Sequence, residues 1–133
     1  MGFEIKDLST GERGWLAHIN QSEGPRIGKY RVNLTDLGVI GVGSVLGALQ
    51  TADILAIDEV GPMELSSKTF RKALIRAVES KKPILGTIHY GLRNAIVTEI
   101  KEREDVEVLK VTYENREELH NLIADMIVEY LGK

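Results

Sequence analysis

Seven residues constrain this chain more than any others. Asp53-Ile54-Leu55-Ala56-Ile57-Asp58-Glu59 sets four apolar residues in a row and closes them with two carboxylates. An apolar run without alternation predicts a strand buried on both faces, the habit of strands in a parallel sheet. Two acids at its end are costly to desolvate unless they hold a cation or polarise a water. Neighbouring strand residues point to opposite faces, so the two carboxylates can serve different tasks. An Asp can hold a magnesium–water cluster while a Glu orients or deprotonates an attacking water. Gly61-Pro62 shapes a turn directly afterwards. The competing reading is a strand end reaching solvent with ordinary surface acids.

The surrounding pattern supports a parallel sheet. Ser66 or Ser67 starts a helix with Phe70, Ala73, Leu74, Ala77 and Val78 on one stripe. Pro83 to Ile88 is a second buried strand, and a helix carrying Ile96 and Ile100 on one face follows. Val106 to Val111 reads as a strand. The last helix carries Leu119, Leu122, Ile123, Met126, Ile127, Tyr130 and Leu131, with Thr112 as its cap. From Asp53 onward the order is β-α-β-α-β-α, which argues for a parallel sheet flanked by helices. Ahead of it, Phe3–Leu8 and Gly14–Ile19 read as a β-hairpin around Ser9-Thr10-Gly11-Glu12, and Ile27–Leu34 as a third strand. A glycine-rich helix capped by Thr35 or Asp36 runs to about Gln50. The fold class expected is α/β, with all 133 residues in a single domain.

Composition narrows the function classes. Apolar residues are 43% and charged residues 28%, which argues against intrinsic disorder. There are no cysteines, so thiolate zinc sites, Fe–S clusters, disulfides and thiol catalysis are excluded. The start Met1-Gly2-Phe3-Glu4-Ile5-Lys6 lacks the basic, then apolar pattern of a signal peptide. No run approaches ~18 consecutive apolar residues, so a cytoplasmic protein with no membrane partner is expected. Net charge is −3, without the positive excess of a general nucleic-acid binder. The imbalance is local: residues 99–133 carry 5 basic and 10 acidic groups, read as solvated helix faces.

Ligands of open α/β sheets collect at the carboxyl ends of the parallel strands. The element order places Asp58-Glu59, Thr87–His89 and Thr112–Asn115 on that rim. His89 is there a polar sensing residue or a satisfied structural one. His18 and His120 stand alone, without ligand spacing. Arg26, Lys29 and Arg31 form a basic loop suited to charge on a phosphoryl group, or simply a solvated patch. Gly24-Pro25-Arg26-Ile27-Gly28-Lys29 imitates a phosphate loop, but has one residue too few between its glycines and Tyr30 where Ser or Thr should stand. Gly41 to Gly47 imitates a dinucleotide turn; small residues for close helix packing explain it better.

Four stretches stand in the order of one family: Gly24–Asn33, Ile57-Asp58-Glu59-Val60-Gly61-Pro62-Met63-Glu64-Leu65, Gly86-Thr87-Ile88-His89, and Val111-Thr112-Tyr113-Glu114-Asn115-Arg116. From Phe3 to the C-terminus the chain resembles the thermophile-type, or cancer-related, P-loop nucleoside triphosphatases. The resemblance implies a P-loop NTPase-like three-layer sandwich with an N-terminal antiparallel hairpin. It implies hydrolysis of nucleoside triphosphates, ATP and GTP among them, to the diphosphate and phosphate with Mg²⁺. Carried over, Asp58 is the Walker B metal carboxylate and Glu59 the water-activating one. Thr87 and His89 sense the γ-phosphate, Asn115 and Arg116 lie near the base, and Arg26 and Lys29 contact phosphate.

The family pattern opens with a strand, the loop G-x-x-x-x-G-K-S/T and a helix, and no such loop occurs in these residues. With it go the N–H cradle, the phosphate Lys and the metal-binding hydroxyl. The expectation is therefore an incomplete nucleoside triphosphatase domain, lacking its first P-loop strand and helix and inactive or weak alone. That strand belongs between Pro83–Ile88 and Val106–Val111, so the two are expected to re-pair, or the chain to dimerise or to pair with a chain that supplies the loop. The alternative is a non-catalytic binding or assembly module. A two-metal phosphodiesterase on Asp53, Asp58, Glu59 and Glu64 is disfavoured, because Asp53 and Asp58 are about 17 Å apart by strand rise.

Overall fold

The structure is a computed structural model and describes Met1–Gly132. The chain divides into two compact units, Met1–Leu92 and the residues from Arg93 onward.

The first unit holds two sheets. β1 (Gly2–Lys6), β2 (Arg13–His18), β3 (Arg26–Ile27) and β4 (Tyr30–Val32) form an antiparallel sheet in the order β1-β2-β4-β3. The expected hairpin is β1–β2. Its turn is closed by Asp7, whose N–H donates to the Glu12 carbonyl at 2.9 Å. Asp7 Oδ1 also accepts from the Ser9 N–H and the Ser9 hydroxyl, both at 2.8 Å. The strand expected over Ile27–Leu34 is instead the tight hairpin β3–β4. The false phosphate loop is part of that hairpin, and Arg31 holds it by donating to the Gly24 carbonyl at 2.9 Å.

The glycine-rich helix runs over Leu34–Thr51 as α1 (Leu34–Asp36), a π-helical stretch (Leu37–Val42) and α2 (Gly43–Thr51). Asn33, rather than Thr35 or Asp36, caps it, accepting from the Asp36 N–H at 3.0 Å. By length and composition it could cross a membrane, but its Leu37, Ile40 and Val45 are buried in this unit. Only part of its glycine run serves packing. A Cβ on Gly41 would stand 2.9 Å from both Ile5 Cδ1 and Leu37 Cδ1, whereas Gly38, Gly43 and Gly47 face open space.

β5 (Leu55–Val60) and β6 (Ile84–Ile88) form a parallel pair. Between them come the short α3 (Pro62–Leu65) and α4 (Lys68–Glu79). Buried Ser67 caps α4 by accepting from the Phe70 N–H at 3.1 Å. Its stripe of Phe70, Ala73 and Ala77 packs with Val32, Leu37, Val45 and Leu55 into the core.

The two parallel strands are less buried than expected. Ala56, Leu85, Gly86 and Thr87 are exposed. The physical reason is the width of the sheet: β5 and β6 have only each other as strand partners among the described residues. A two-stranded sheet leaves outer edges and much of its surface to solvent.

The second unit contains α5 (Ala95–Lys101) and α6 (Arg116–Leu131). Asn94 caps α5, accepting from the Ile96 N–H at 2.9 Å. Among the described residues the strand expected over Val106–Val111 does not form. A β-propensity run becomes a strand only when a neighbour takes its N–H and C=O groups, and no strand partners this one among the described residues. α6 starts at Arg116 with Asn115 as its cap residue, so Thr112 is not the cap and Glu114 lies outside the helix.

Candidate functional site

β5 and β6 run in the same direction, so their carboxyl ends meet on one rim. Val60 pairs with Ile88 there, and the His89 N–H donates to the Val60 carbonyl at 3.0 Å. This ladder brings two pairs of side chains together. Thr87 donates its hydroxyl hydrogen to Asp58 Oδ1 at 2.6 Å. His89 Nδ1 stands 3.5 Å from Glu59 Oε1, an ion pair when the imidazole is protonated. All four residues are exposed. The sequence pattern therefore named four residues that the fold gathers on adjacent strand ends.

The turn after β5 adds a fifth. Gly61 is buried and precedes Pro62 at the first position of α3. A Cβ placed on Gly61 would be 3.3 Å from Glu64 Oε1 and 3.4 Å from Glu59 Oε1. Both carboxylates thus converge on the glycine. Burial pushes the Glu64 carboxyl above its ordinary range, and the Glu59 charge adds to the rise. The amides of Glu64 and Gly61 and the His89 charge oppose it. In the sequence Glu64 stands within the Ile57–Leu65 stretch and in the disfavoured phosphodiesterase cluster, with no role of its own. The signal that finds it is its place three residues after Gly61, the cap residue of α3.

The remaining candidates belong to other elements. Arg26 and Lys29 sit on the β3–β4 hairpin of the antiparallel sheet, Lys29 Nζ 5.6 Å from the Tyr30 ring centroid. Asn115 and Arg116 belong to the second unit. Asn115 is spent on its own turn: Oδ1 accepts from the Thr112 N–H at 2.7 Å and Nδ2 donates to the Lys110 carbonyl at 2.9 Å. Arg116 lies 5.2 Å from the Tyr113 ring centroid and lines a hollow of about 520 Å³ with Glu117, His120 and Asn121.

A cation at this rim would find few protein ligands. Among the described residues no group of three or more His, Asp or Glu side chains is arranged to hold a metal. Asp58 retains acceptor capacity beyond the bond from Thr87. One carboxylate with a hydroxyl beside it suits a hard cation that keeps its waters and takes its other ligands from phosphates.

Comparison with known proteins decides the family. The family described as NTPase matches residues 1–124. The chain belongs to the NTPase family. It is 40% identical to the nucleoside-triphosphatase THEP1 of Thermofilum pendens over all of its length and 74% of that protein. The nucleoside-triphosphatase THEP1 of Methanosarcina acetivorans is 44% identical over 98% of this chain and 73% of the relative. Among solved structures, a human cancer-related nucleoside triphosphatase aligns with a TM-score of 0.74 at 35% identity, over 96% of this chain and 73% of that one. THEP1 from Aquifex aeolicus aligns with a TM-score of 0.86 at 23% identity, over 95% and 76%. The α/β, P-loop NTPase-like fold expected from the sequence is the fold of this chain.

Proposed function

We propose that the chain is the Asp58–Glu59 part of a nucleoside triphosphate phosphohydrolase that converts the triphosphate and water to the diphosphate and phosphate. The observation that carries the reading is the pairing on the rim: Asp58 with Thr87, and Glu59 with His89, on the ends of adjacent parallel strands. Asp58 would hold Mg²⁺, which when bound neutralises charge on the polyphosphate. Thr87 keeps one Asp58 oxygen directed along the rim. Glu59 accepts a hydrogen bond from the attacking water and aligns its lone pair with the γ-phosphorus. The water oxygen forms the new P–O bond as the bond to the β–γ bridging oxygen breaks. That electron pair leaves on the diphosphate, and the water proton passes to solvent or phosphate. His89 neutralises Glu59 or meets a γ-phosphate oxygen. Arg26 and Lys29 contribute phosphate contact. The reading places the protein in the cytoplasm.

These 133 residues contain no G-x-x-x-x-G-K-S/T loop. A polypeptide of these residues alone is therefore expected to release phosphate from ATP or GTP at background rate. With a P-loop segment supplied in the same chain or in trans, Mg²⁺-dependent release appears, and Glu59→Gln lowers it by roughly 10²–10⁴-fold. Turnover unaffected by Glu59→Gln overturns the role of Glu59. Strong Mg²⁺-dependent turnover by the 133 residues alone overturns the incompleteness.

A second reading, an assembly module, is favoured by one observation. The edge of β6 carries Leu85, 37% exposed, on a sheet of only two strands. Such an edge is a template for pairing, either with a second copy or with a chain that brings the loop.

A further inference from the structure

Glu64 occupies the third position of α3, whose cap residue is Gly61. A glutamate there can reach back to the amide of the cap residue, as in a capping box. Its carboxylate oxygen and that of Glu59 lie within 3.3 and 3.4 Å of the point where a Gly61 side chain would begin, and His89 Cβ lies within 3.6 Å of it. The three groups therefore share the space left by one missing methyl. Gly61 directly follows Val60, whose carbonyl accepts from the His89 N–H.

We propose that Glu64 is a positioning residue for Glu59: it pins the Gly61 backbone and fills part of the space over the glycine, leaving the Glu59 carboxylate the part beside His89. The inference rests on the reading of Glu59 as the water-orienting carboxylate. Two carboxylates this close repel, and the favourable place for the outer one is beside the imidazole. Half-buried Glu64 has little room to yield, while Glu59 is exposed. The repulsion is thereby converted into direction. Glu64 takes part in no bond change and touches no substrate. Gly61 matters because a Cβ there would press on both acids, 3.3 Å from Glu64 Oε1 and 3.4 Å from Glu59 Oε1.

The test is NMR on the labelled chain, reading Gly61 amide exchange and the nuclear Overhauser contact between the His89 ring and the Glu59 side chain. In Glu64→Ala, Gly61 exchange accelerates about tenfold, the loss of one hydrogen bond, and the His89–Glu59 contact weakens. Glu64→Gln, which keeps an acceptor for the Gly61 amide, holds the exchange near wild type. Gly61→Ala weakens the contact with both acids still in place. Ser67→Ala destabilises the neighbouring helix and leaves the contact unchanged. Should Glu64→Ala fail to fold, Glu64→Asp, one methylene short, shows the same two losses. Unchanged exchange and an intact contact in Glu64→Ala or Glu64→Asp overturn the proposal. So does loss of the contact in Ser67→Ala, which makes it a plain effect of stability. Phosphate release by the loop-complemented chain separates the two readings, since Glu59 can fail as a water-orienting group while this contact behaves as stated.

Discussion

Thr87 gives its hydroxyl hydrogen to Asp58 at 2.6 Å, and both side chains are exposed. Water competes for an exposed bond, so its net worth to stability is about 1 kcal/mol or less. We expect Thr87→Val to change the melting temperature little and to weaken Mg²⁺–nucleotide binding by the loop-complemented chain, measured by calorimetry. Unaltered affinity would separate Thr87 from the work of Asp58. Asp7 gives a pH prediction. Hydrogen bonds from the Ser9 hydroxyl first, and from the Ser9 and Thr10 amides, lower its carboxyl from 3.8 to about 2. A carboxyl depressed in the folded state stabilises the fold above its ordinary value, and that contribution is lost as pH falls from about 3.8 through about 2. Asp7→Asn should flatten the acid limb of the stability curve in that window, read by denaturant titration at several pH values. Asp58 and Glu59 were legible because carboxylates after an apolar run are physically unusual. Glu64 was not, because its importance depends on a glycine whose missing side chain leaves room for two acids.

Among the elements, α4 is the best specified by local sequence. Its cap, Ser67, is buried and accepts from Phe70, which itself enters the core. Ser67→Ala should cost about 1 kcal/mol and Phe70→Ala about 3–5 kcal/mol, both from urea unfolding of the chain. Equal effects would contradict the burial of Phe70. The Val106–Val111 stretch makes the opposite point. Its three valines and a leucine give it the composition of a strand, yet none forms. Helix caps act through bonds a few residues long, so they are written locally. A strand is completed by another strand, and its local sequence cannot supply one.

At the scale of the whole molecule, the two-stranded parallel sheet is the unusual feature. Its open β6 edge offers unpaired backbone groups beside exposed Leu85. We expect the chain to self-associate with rising concentration, followed by light scattering, and Leu85→Lys to lower the associated fraction, since charge on an edge strand opposes pairing. A monomer at all concentrations would remove the support for the assembly reading.

The amino-acid sequence by itself determined the class of the fold, the hairpin, the main helices and the acid pair, because period, caps and turn chemistry are short-range properties of the chain. Tertiary structure decided which residues stand together: Thr87 beside Asp58, His89 beside Glu59, and Glu64 with Glu59 over Gly61. It also decided that much of β5 and β6 is exposed and that Val106–Val111 is not a strand. These are outcomes of pairing between segments distant in the chain, and burial is a property of the pair rather than of either segment.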